Sequence, residues 1–241
     1  MEIETIILDI EGTTVPFEFV HSDMFRYVKD HVGHFLNENH DPYIASLTDK
    51  IIDEYAGTGN FLKNRDSAGN KSVEYMSEVI CKLVDRDSKF GPFKELEGMI
   101  WKKGFENGTL LAKVYKDACE KMIQWNEKGK DIFIYSSGSI QSQKLLFSHT
   151  EWGDLTPYIS GFFDTSMGDK KNPDSYSKIL DATGKNGENV LFLSDVEEEL
   201  MAAFESNINV ILVNRDGNDY KKSRNFKIIS SFNELDGLYD K

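Results

Sequence analysis

The sequence is poor in cysteine and in positive charge, and both shortages narrow the class of protein. Its 241 residues include two cysteines, Cys81 and Cys119. They lie far apart and without metal-ligand spacing, which indicates reduced thiols in a cytosolic-type protein. Lys and Arg number 28 against 41 Asp and Glu, so the formal net charge is −13. Such an acidic surface repels nucleic-acid phosphates and anionic lipids, and a small anionic substrate would need a local cation.

The sequence also lacks a long hydrophobic run. No segment reaches the ~18 apolar residues of a membrane helix, and the N-terminal MEIETIILDIEG has no basic region typical of a signal peptide. We therefore expect a cytoplasmic protein with no membrane or nucleic-acid partner, while entry into the nucleus stays open. A hydrophobic content of 39% can fill one large domain, or a domain with an insertion. We expect a monomer.

Five short apolar runs predict buried strands, because the strands of a parallel sheet are covered on both faces and are continuously apolar. They are Thr5–Ile10, Asp131–Ser136, Gly161–Asp164, Asn189–Ser194 and Asn209–Val213. Helical patterns alternate with them at Lys113–Glu127, Ile140–His149, Pro173–Thr183 and Glu197–Glu205. This alternation predicts an α/β fold with a doubly wound parallel sheet.

The segment that follows the first strand has a different pattern, without a clear strand. Amphipathic helices are predicted around Ser22–Asn37, Pro42–Tyr55 and Ser72–Asp87, with a polar stretch at Ala56–Lys71. The sequence therefore predicts two domains. One is an α/β core of residues 1–16 and 112–241, and the other is a helical insertion of residues 17–111 after the first strand.

Polar side chains that carry oxygen follow three of the predicted strands. The first strand ends in Asp9 and Glu11, the second in Ser136 and Ser137, and the fourth in Asp195. The carboxyl ends of the strands of such a sheet form the edge where ligands bind. A single Asp after a strand is often a helix cap, but three such strand ends together favour a functional site.

These residue types suit phosphate chemistry with a divalent cation. Asp9 and Asp195 can share Mg²⁺, which prefers carboxylate, carbonyl and water oxygens and seldom takes a full protein cage. A carboxylate can also be a nucleophile, as in aspartyl-phosphate chemistry. The two serines can donate hydrogen bonds to an anion where a helix begins. Lys170 or Lys171, after the third strand, can screen the charge that develops in phosphoryl transfer.

Several motifs together resemble a known family. Asp9-Ile10-Glu11-Gly12-Thr13, with Ser136, a lysine near 170 and Asp195, resembles the haloacid-dehalogenase (HAD-like) superfamily of phosphotransferases. That superfamily usually has Asp-x-Asp on its first strand, and the Asp-x-Glu-Gly-Thr form is similar to the enolase-phosphatase family of methionine salvage. Further stretches agree with that family: PFEFV (16–20), LEGMIWKKGFENGTL (96–110), IYSSGS (134–139), QKLLF (143–147), FFDT (162–165), LFLSD (191–195) and the Arg-x-Gly-Asn at 215–218. Two positions depart from it, with Glu97 in place of Gln and Asp216 in place of Pro.

The resemblance implies a metal site at the strand ends. Asp9 would be both the nucleophile and a ligand of Mg²⁺, one ion per subunit. Glu11 would bind the ion through its main-chain oxygen and keep its side chain for proton transfer. Asp195 would supply the other carboxylate, and Glu199 would interact with the ligands of the ion without binding the ion itself.

The resemblance also implies a phosphate-binding site and a two-step reaction. Ser136 and Ser137 would hold the phosphate, together with Lys170, which precedes Tyr176 by the superfamily's usual six residues; Lys171 is the alternative. The substrate would be a small phosphorylated diketone, 2,3-diketo-5-methylthiopentyl 1-phosphate, which first enolises and then loses phosphate to give 1,2-dihydroxy-3-keto-5-methylthiopentene. The enolisation base is not identified. The helical cap would exclude water and contact the thioether end.

Two other functions compete with this one. The first is a Mg²⁺-dependent phosphatase of the same superfamily for another small phosphomonoester, and the second is a non-catalytic interaction protein that kept the fold. The family stretches within the cap favour the enolase-phosphatase over the first, because caps set substrate choice. The complete set of site residues argues against the second, because a binding module has no need of all of them.

Overall fold

A computed structural model describes residues 2–57, 72–215 and 226–237 of the chain. The chain divides into two compact units, residues 1–19 with 111–241 and residues 20–110. Most of the predicted polar stretch at Ala56–Lys71 lies outside the described residues, and so does Asp216. None of the helices in the described part of the chain is long and apolar enough to span a membrane.

The unit of residues 20–110 is helical. A π-helix at Phe19–Met24 leads into α1 (Phe25–Glu38), which is followed by α2 (Pro42–Gly57), α3 (Val73–Asp85) and α4 (Gly91–Glu106). α1 packs against α3 and α4, and α2 packs against the same two helices. The three predicted helices correspond to α1, α2 and α3, whose apolar residues recur at helical spacing and are buried.

α4 is the helix that the periodicity did not predict. Its buried face includes Glu97 and Gly104 between the apolar side chains. A charged residue and a glycine on the inner face interrupt the apolar stripe by which an amphipathic helix is recognised. The close approach of neighbouring helices explains the glycine, because a Cβ at Gly104 would lie 2.6 Å from the ring of Tyr27.

The unit of residues 1–19 and 111–241 contains a six-stranded sheet. Its strands are β1 (Thr5–Leu8), β2 (Asp131–Tyr135), β3 (Gly161–Phe163), β4 (Val190–Ser194), β5 (Asn209–Val213) and β6 (Ile228–Ile229). The strand order is β3-β2-β1-β4-β5-β6, and every neighbouring pair is parallel. The predicted parallel sheet is confirmed. β6 was missed, because two residues are too short to show a pattern.

The described residues of the same unit form four α-helices. They are α5 (Lys116–Glu127), α6 (Ile140–Ser148), α7 (Pro173–Thr183) and α8 (Glu197–Glu205). α7 and α8 have the predicted bounds, whereas α5 begins three residues later than predicted. The reason is that the backbone N–H of Tyr115 donates to the carbonyl oxygen of Thr14 at 3.0 Å, which ties the chain before α5 to the turn that follows β1.

Candidate active site

The central strands of the sheet end side by side at one cavity. Leu8 pairs with Ile134 of β2 and with Leu193 of β4, so β1, β2 and β4 reach the same level. Asp9 follows β1 directly, and Ser136 and Asp195 follow the other two strands. The cavity has a volume of about 560 Å³ and is lined by Asp9, Glu11, Phe17, Ser136, Ser137, Thr165, Gly168, Asp169, Lys170, Lys171, Asp195, Val196 and Glu199.

Asp9, Lys170 and Glu199 form a buried ion-pair cluster in this cavity. Lys170 Nζ lies 2.5 Å from Asp9 Oδ1 and 2.6 Å from Glu199 Oε2, and each side chain is at most 10% exposed. Burial opposes the charge of the lysine, but the two carboxylates outweigh it and raise the pKa of Lys170. Burial, reinforced by the nearby Asp9 charge, raises the pKa of Glu199. One lysine therefore stands between two acids.

The backbone around Lys170 is held by the start of α7. The hydroxyl of Tyr176 donates to the carbonyl oxygen of Lys170 at 2.8 Å. These are the two residues whose separation of six positions was noted in the sequence. Ser175 Oγ donates to the Asp169 carbonyl oxygen at 2.7 Å. Lys171 also lines the cavity but is exposed. The geometry thus brings Lys170 to the Asp9 carboxylate.

The turn after β1 folds back on itself and packs against Asp195. The N–H groups of Thr14 and Val15 both donate to the Ile10 carbonyl oxygen, at 3.0 and 2.9 Å, and Gly12 N donates to Val15 O at 2.8 Å. Gly12 has a φ of +70°, and a Cβ built on it would lie 2.5 Å from Asp195 Oδ2. Only glycine combines this backbone conformation with such a close approach.

The turn after β2 presents the two serines. Ser136 is buried, its N–H donates to Phe163 O at 3.2 Å, and its Oγ accepts from Gly138 N at 3.3 Å. Gln143 Nε2 holds the same turn, donating to Gly138 O at 2.7 Å and to Phe163 O at 2.8 Å. α6 begins immediately after the turn. Ser136 and Ser137 therefore lie between the end of a strand and the start of a helix, where an anion is stabilised.

Several residues of the site were not predicted as site residues. Gln143 positions the serine turn, and the cavity is also lined by Phe17, Thr165, Gly168, Asp169 and Val196. Phe17 is 50% exposed, and an exposed aromatic is not by itself a sign of function. Phe17, Gln143 and Thr165 nevertheless lay within stretches that the sequence resemblance had named, at 16–20, 143–147 and 162–165.

The donor groups of the cavity fit a hard divalent cation. The cavity is lined by five acids and two lysines, so a phosphate dianion would meet an excess of negative charge without a bound cation. Asp9 and Asp195 offer carboxylate oxygens, and Gly12 leaves room for the Asp195 carboxylate against the turn. Within the described ranges no group of three or more His, Cys, Asp or Glu side chains could hold a metal ion. Two carboxylates with a main-chain oxygen and water are a donor set that suits Mg²⁺.

Comparisons with known proteins agree with this geometry. Residues 3–207 match the family described as haloacid dehalogenase-like hydrolase. The chain is 40% identical over 238 residues to enolase-phosphatase E1 of Persephonella marina, covering 98% of this chain and 100% of that one. It is 39% identical to enolase-phosphatase E1 of Aquifex aeolicus, over 97% and 99% of the two chains. The crystal structure of the UTR4 protein of Saccharomyces cerevisiae has a TM-score of 0.79 and 31% identity, over 97% and 100% of the chains.

The fold and the matched family define the class of protein first. The chain has a parallel sheet whose central strand ends in an acid, and its residues 3–207 match the family. This chain is therefore a haloacid dehalogenase-like hydrolase. Similarity along nearly the whole of both chains then narrows the class. This chain belongs to the enolase-phosphatase E1 family, and the resemblance in the sequence motifs is confirmed.

Proposed function

We propose that this chain converts 2,3-diketo-5-methylthiopentyl 1-phosphate to its enol phosphate and then to 1,2-dihydroxy-3-keto-5-methylthiopentene and phosphate, in methionine salvage. The observation that carries the proposal is the Asp9 carboxylate, which follows the central strand, lines the cavity and is paired with Lys170 at 2.5 Å. Full-length similarity to enolase-phosphatases supports the substrate.

Asp9 is the proposed nucleophile. Its carboxylate oxygen attacks phosphorus, the P–O bond to the substrate breaks, and an aspartyl phosphate forms. Water then attacks phosphorus, which releases phosphate and restores the carboxylate. Lys170, protonated between Asp9 and Glu199, stabilises the charge of the transferring group.

Asp9, Asp195 and the main-chain oxygen of Glu11 are the groups that would hold Mg²⁺. When bound, the ion offsets the repulsion between carboxylate and phosphate and polarises the carbonyl beside the acidic proton. Glu199 supports this site indirectly, since its Oε2 accepts from Ser194 Oγ at 3.0 Å at the end of β4, next to Asp195.

The remaining roles are proton transfer and phosphate binding. Glu11 lines the cavity and is the proposed proton shuttle, which gives a proton to the leaving group and takes one from the attacking water. Ser136 and Ser137 donate to the phosphate oxygens from the turn before α6. The helical unit of residues 20–110 is the proposed cap, which excludes water during the reaction.

A turnover assay on the diketo phosphate, with and without Mg²⁺, tests the proposal. Enol absorbance and phosphate release are followed together, with Asp9→Asn as the comparison. We expect enol to form before phosphate, with both steps dependent on the ion, and phosphate release to be lost in Asp9→Asn because an amide cannot attack phosphorus. Phosphate release by Asp9→Asn at the wild-type rate would contradict the nucleophile assignment.

The same assay separates the alternative functions. Cleavage of generic phosphomonoesters without turnover of the diketo phosphate would keep the chemistry and reject the substrate, leaving a phosphatase for another small phosphomonoester. No turnover of either compound with Mg²⁺ present would reject the enzyme and favour the interaction protein.

A further inference from the structure

Arg215 contacts the turn that carries the acids of the site. It lies two residues after the end of β5, and only 5% of its side chain is exposed. Its Nε donates to the carbonyl oxygen of Thr13 at 2.9 Å, across 202 residues of sequence. The next carbonyl, that of Thr14, accepts from Tyr115 N at 3.0 Å. Two successive peptide groups of the turn are therefore held from outside it.

The guanidinium group is itself fixed on several sides. Its carbon lies 4.3 Å from the ring centre of Tyr115 and 4.5 Å from that of Phe232. Its Nη1 donates to Asp117 Oδ2 at 2.5 Å, and the same carboxylate oxygen accepts from Ser231 Oγ at 2.8 Å and from Phe232 N at 2.6 Å. A planar cation on aromatic rings, paired with a hydrogen-bonded carboxylate, has little freedom to move.

The turn that Arg215 holds is hydrogen-bonded to the backbone of the site. Thr14 Oγ1 donates to the carbonyl oxygen of Asp9 at 2.9 Å, so the anchored residues bind the backbone of the nucleophile. On its other side the turn packs against Asp195, with no space for a Cβ at Gly12. A displacement of the Thr13 carbonyl would therefore move the backbone beside both carboxylates.

We propose that Arg215 is a positioning residue of this active site. It holds residues 10–15, and through them the Asp9 backbone and the main-chain oxygen of Glu11, without contacting the substrate. The reaction it serves rests on the proposed function, whereas the restraint on the turn stands on the contacts alone. Lysine cannot replace it, because an ammonium group does not provide the planar fork that binds Asp117 and Thr13 together while it stacks on the rings.

The test compares Arg215→Lys and Arg215→Met with Lys121→Met. Lys121 is buried on α5, the helix that carries Asp117, and it pairs with Asp236. No described hydrogen bond joins Lys121 to residues 10–15, so its variant removes a buried cation from the same region without touching the turn. Three kinds of measurement are made: steady-state kinetics on p-nitrophenyl phosphate for kcat and KM, calorimetry for Mg²⁺ affinity, and amide hydrogen exchange of residues 12–15.

Both Arg215 variants should lower kcat and weaken Mg²⁺ binding by about 10- to 100-fold, the usual effect of removing a group that orients a metal ligand. KM should change little, and the amides of residues 12–15 should exchange faster. Lys121→Met should lower the melting temperature and leave kcat, Mg²⁺ affinity and the exchange rates unchanged. Arg215→Met tests the lost contacts, and Arg215→Lys, which keeps the charge, is the variant to use if the first does not fold.

Two results would overturn the proposal. One is a loss of stability in the Arg215 variants with wild-type kcat, Mg²⁺ affinity and exchange rates. The other is full recovery of all three in Arg215→Lys, which would reject the need for a planar fork. If the wild-type protein hydrolyses no phosphomonoester, the proposed function fails, and the Mg²⁺ affinity and exchange rates still decide the role of Arg215.

Discussion

Substituting Gly12 by alanine should damage the site through one identified contact. The new Cβ would lie 2.5 Å from Asp195 Oδ2, which is about 0.9 Å inside the 3.4 Å at which ordinary contact begins. Either the turn or the Asp195 carboxylate must move by nearly 1 Å. A misplacement of this size at a reacting centre costs about 100-fold in rate, or about 2.7 kcal/mol of activation free energy. We expect Gly12→Ala to lose about 100-fold in kcat and to bind Mg²⁺ more weakly.

The backbone strain of the substitution must be separated from the clash, and Gly184 provides the control. Gly184 ends α7 with a φ of +66°, close to the +70° of Gly12, but no atom lies within 4 Å of its added Cβ. Left-handed backbone costs a residue with a side chain about 1–2 kcal/mol. Both alanine variants should therefore lose this much stability to backbone strain in denaturant unfolding, with the cost of the clash added in Gly12→Ala. Only Gly12→Ala should lose Mg²⁺ affinity and turnover.

Calorimetric titration with Mg²⁺ and a phosphate-release assay decide the question for the two variants. Wild-type Mg²⁺ affinity and kcat in Gly12→Ala would refute the reasoning, because the Asp195 carboxylate would then tolerate the displacement. A loss of Mg²⁺ affinity in Gly184→Ala equal to that in Gly12→Ala would refute it as well, because strain alone would then account for the effect.

Two further predictions concern buried charges. Lys170→Met should lower kcat by about 100-fold or more, because it leaves the Asp9 and Glu199 carboxylates together without their shared cation. Lys171 is an exposed lysine of the same cavity, so Lys171→Met should keep a kcat near that of the wild type. Equal losses of kcat in the two variants would remove the distinction between the lysines. Burial raises the pKa of Glu97 in the folded protein. The stability that Glu97 contributes is therefore complete below its unfolded pKa of about 4.3, and it is lost as the pH rises through its folded pKa. The unfolding free energy of Glu97→Gln relative to wild type should therefore increase between about pH 4 and pH 8, and a difference independent of pH would contradict this.

The sequence predicted the elements whose signals are local. Apolar runs identified five of the six strands, and the bounds of α7 follow from Pro173 at its start and Gly184 at its end. The acids after β1 and β4 could be placed at one edge, because parallel strands bring their carboxyl ends together. α4 was missed because Glu97 and Gly104 interrupt its apolar stripe.

Contacts between distant segments had no such signal. The Arg215–Thr13 hydrogen bond joins residues 202 positions apart, and nothing near Arg215 in the sequence marks its partner. The contact of Gly12 with Asp195 likewise depends on β1 lying beside β4. A glycine after an acid predicts a turn, but the reason that alanine cannot replace it becomes visible only when both strands are in place.

The acids of the site are charged groups buried at the ends of apolar strands, and their position is informative because burying charge is costly. Asp9 and Glu199 are buried with a single lysine between them, an arrangement that costs desolvation and adds little to stability. The strands behind them supply that stability, since every residue of β1 and β4 is buried. A sequence that places charge where its own strands favour apolar residues needs that charge for chemistry. In this chain Asp9 is the proposed nucleophile and a proposed ligand of the cation, and Glu199 contacts the end of β4 next to Asp195.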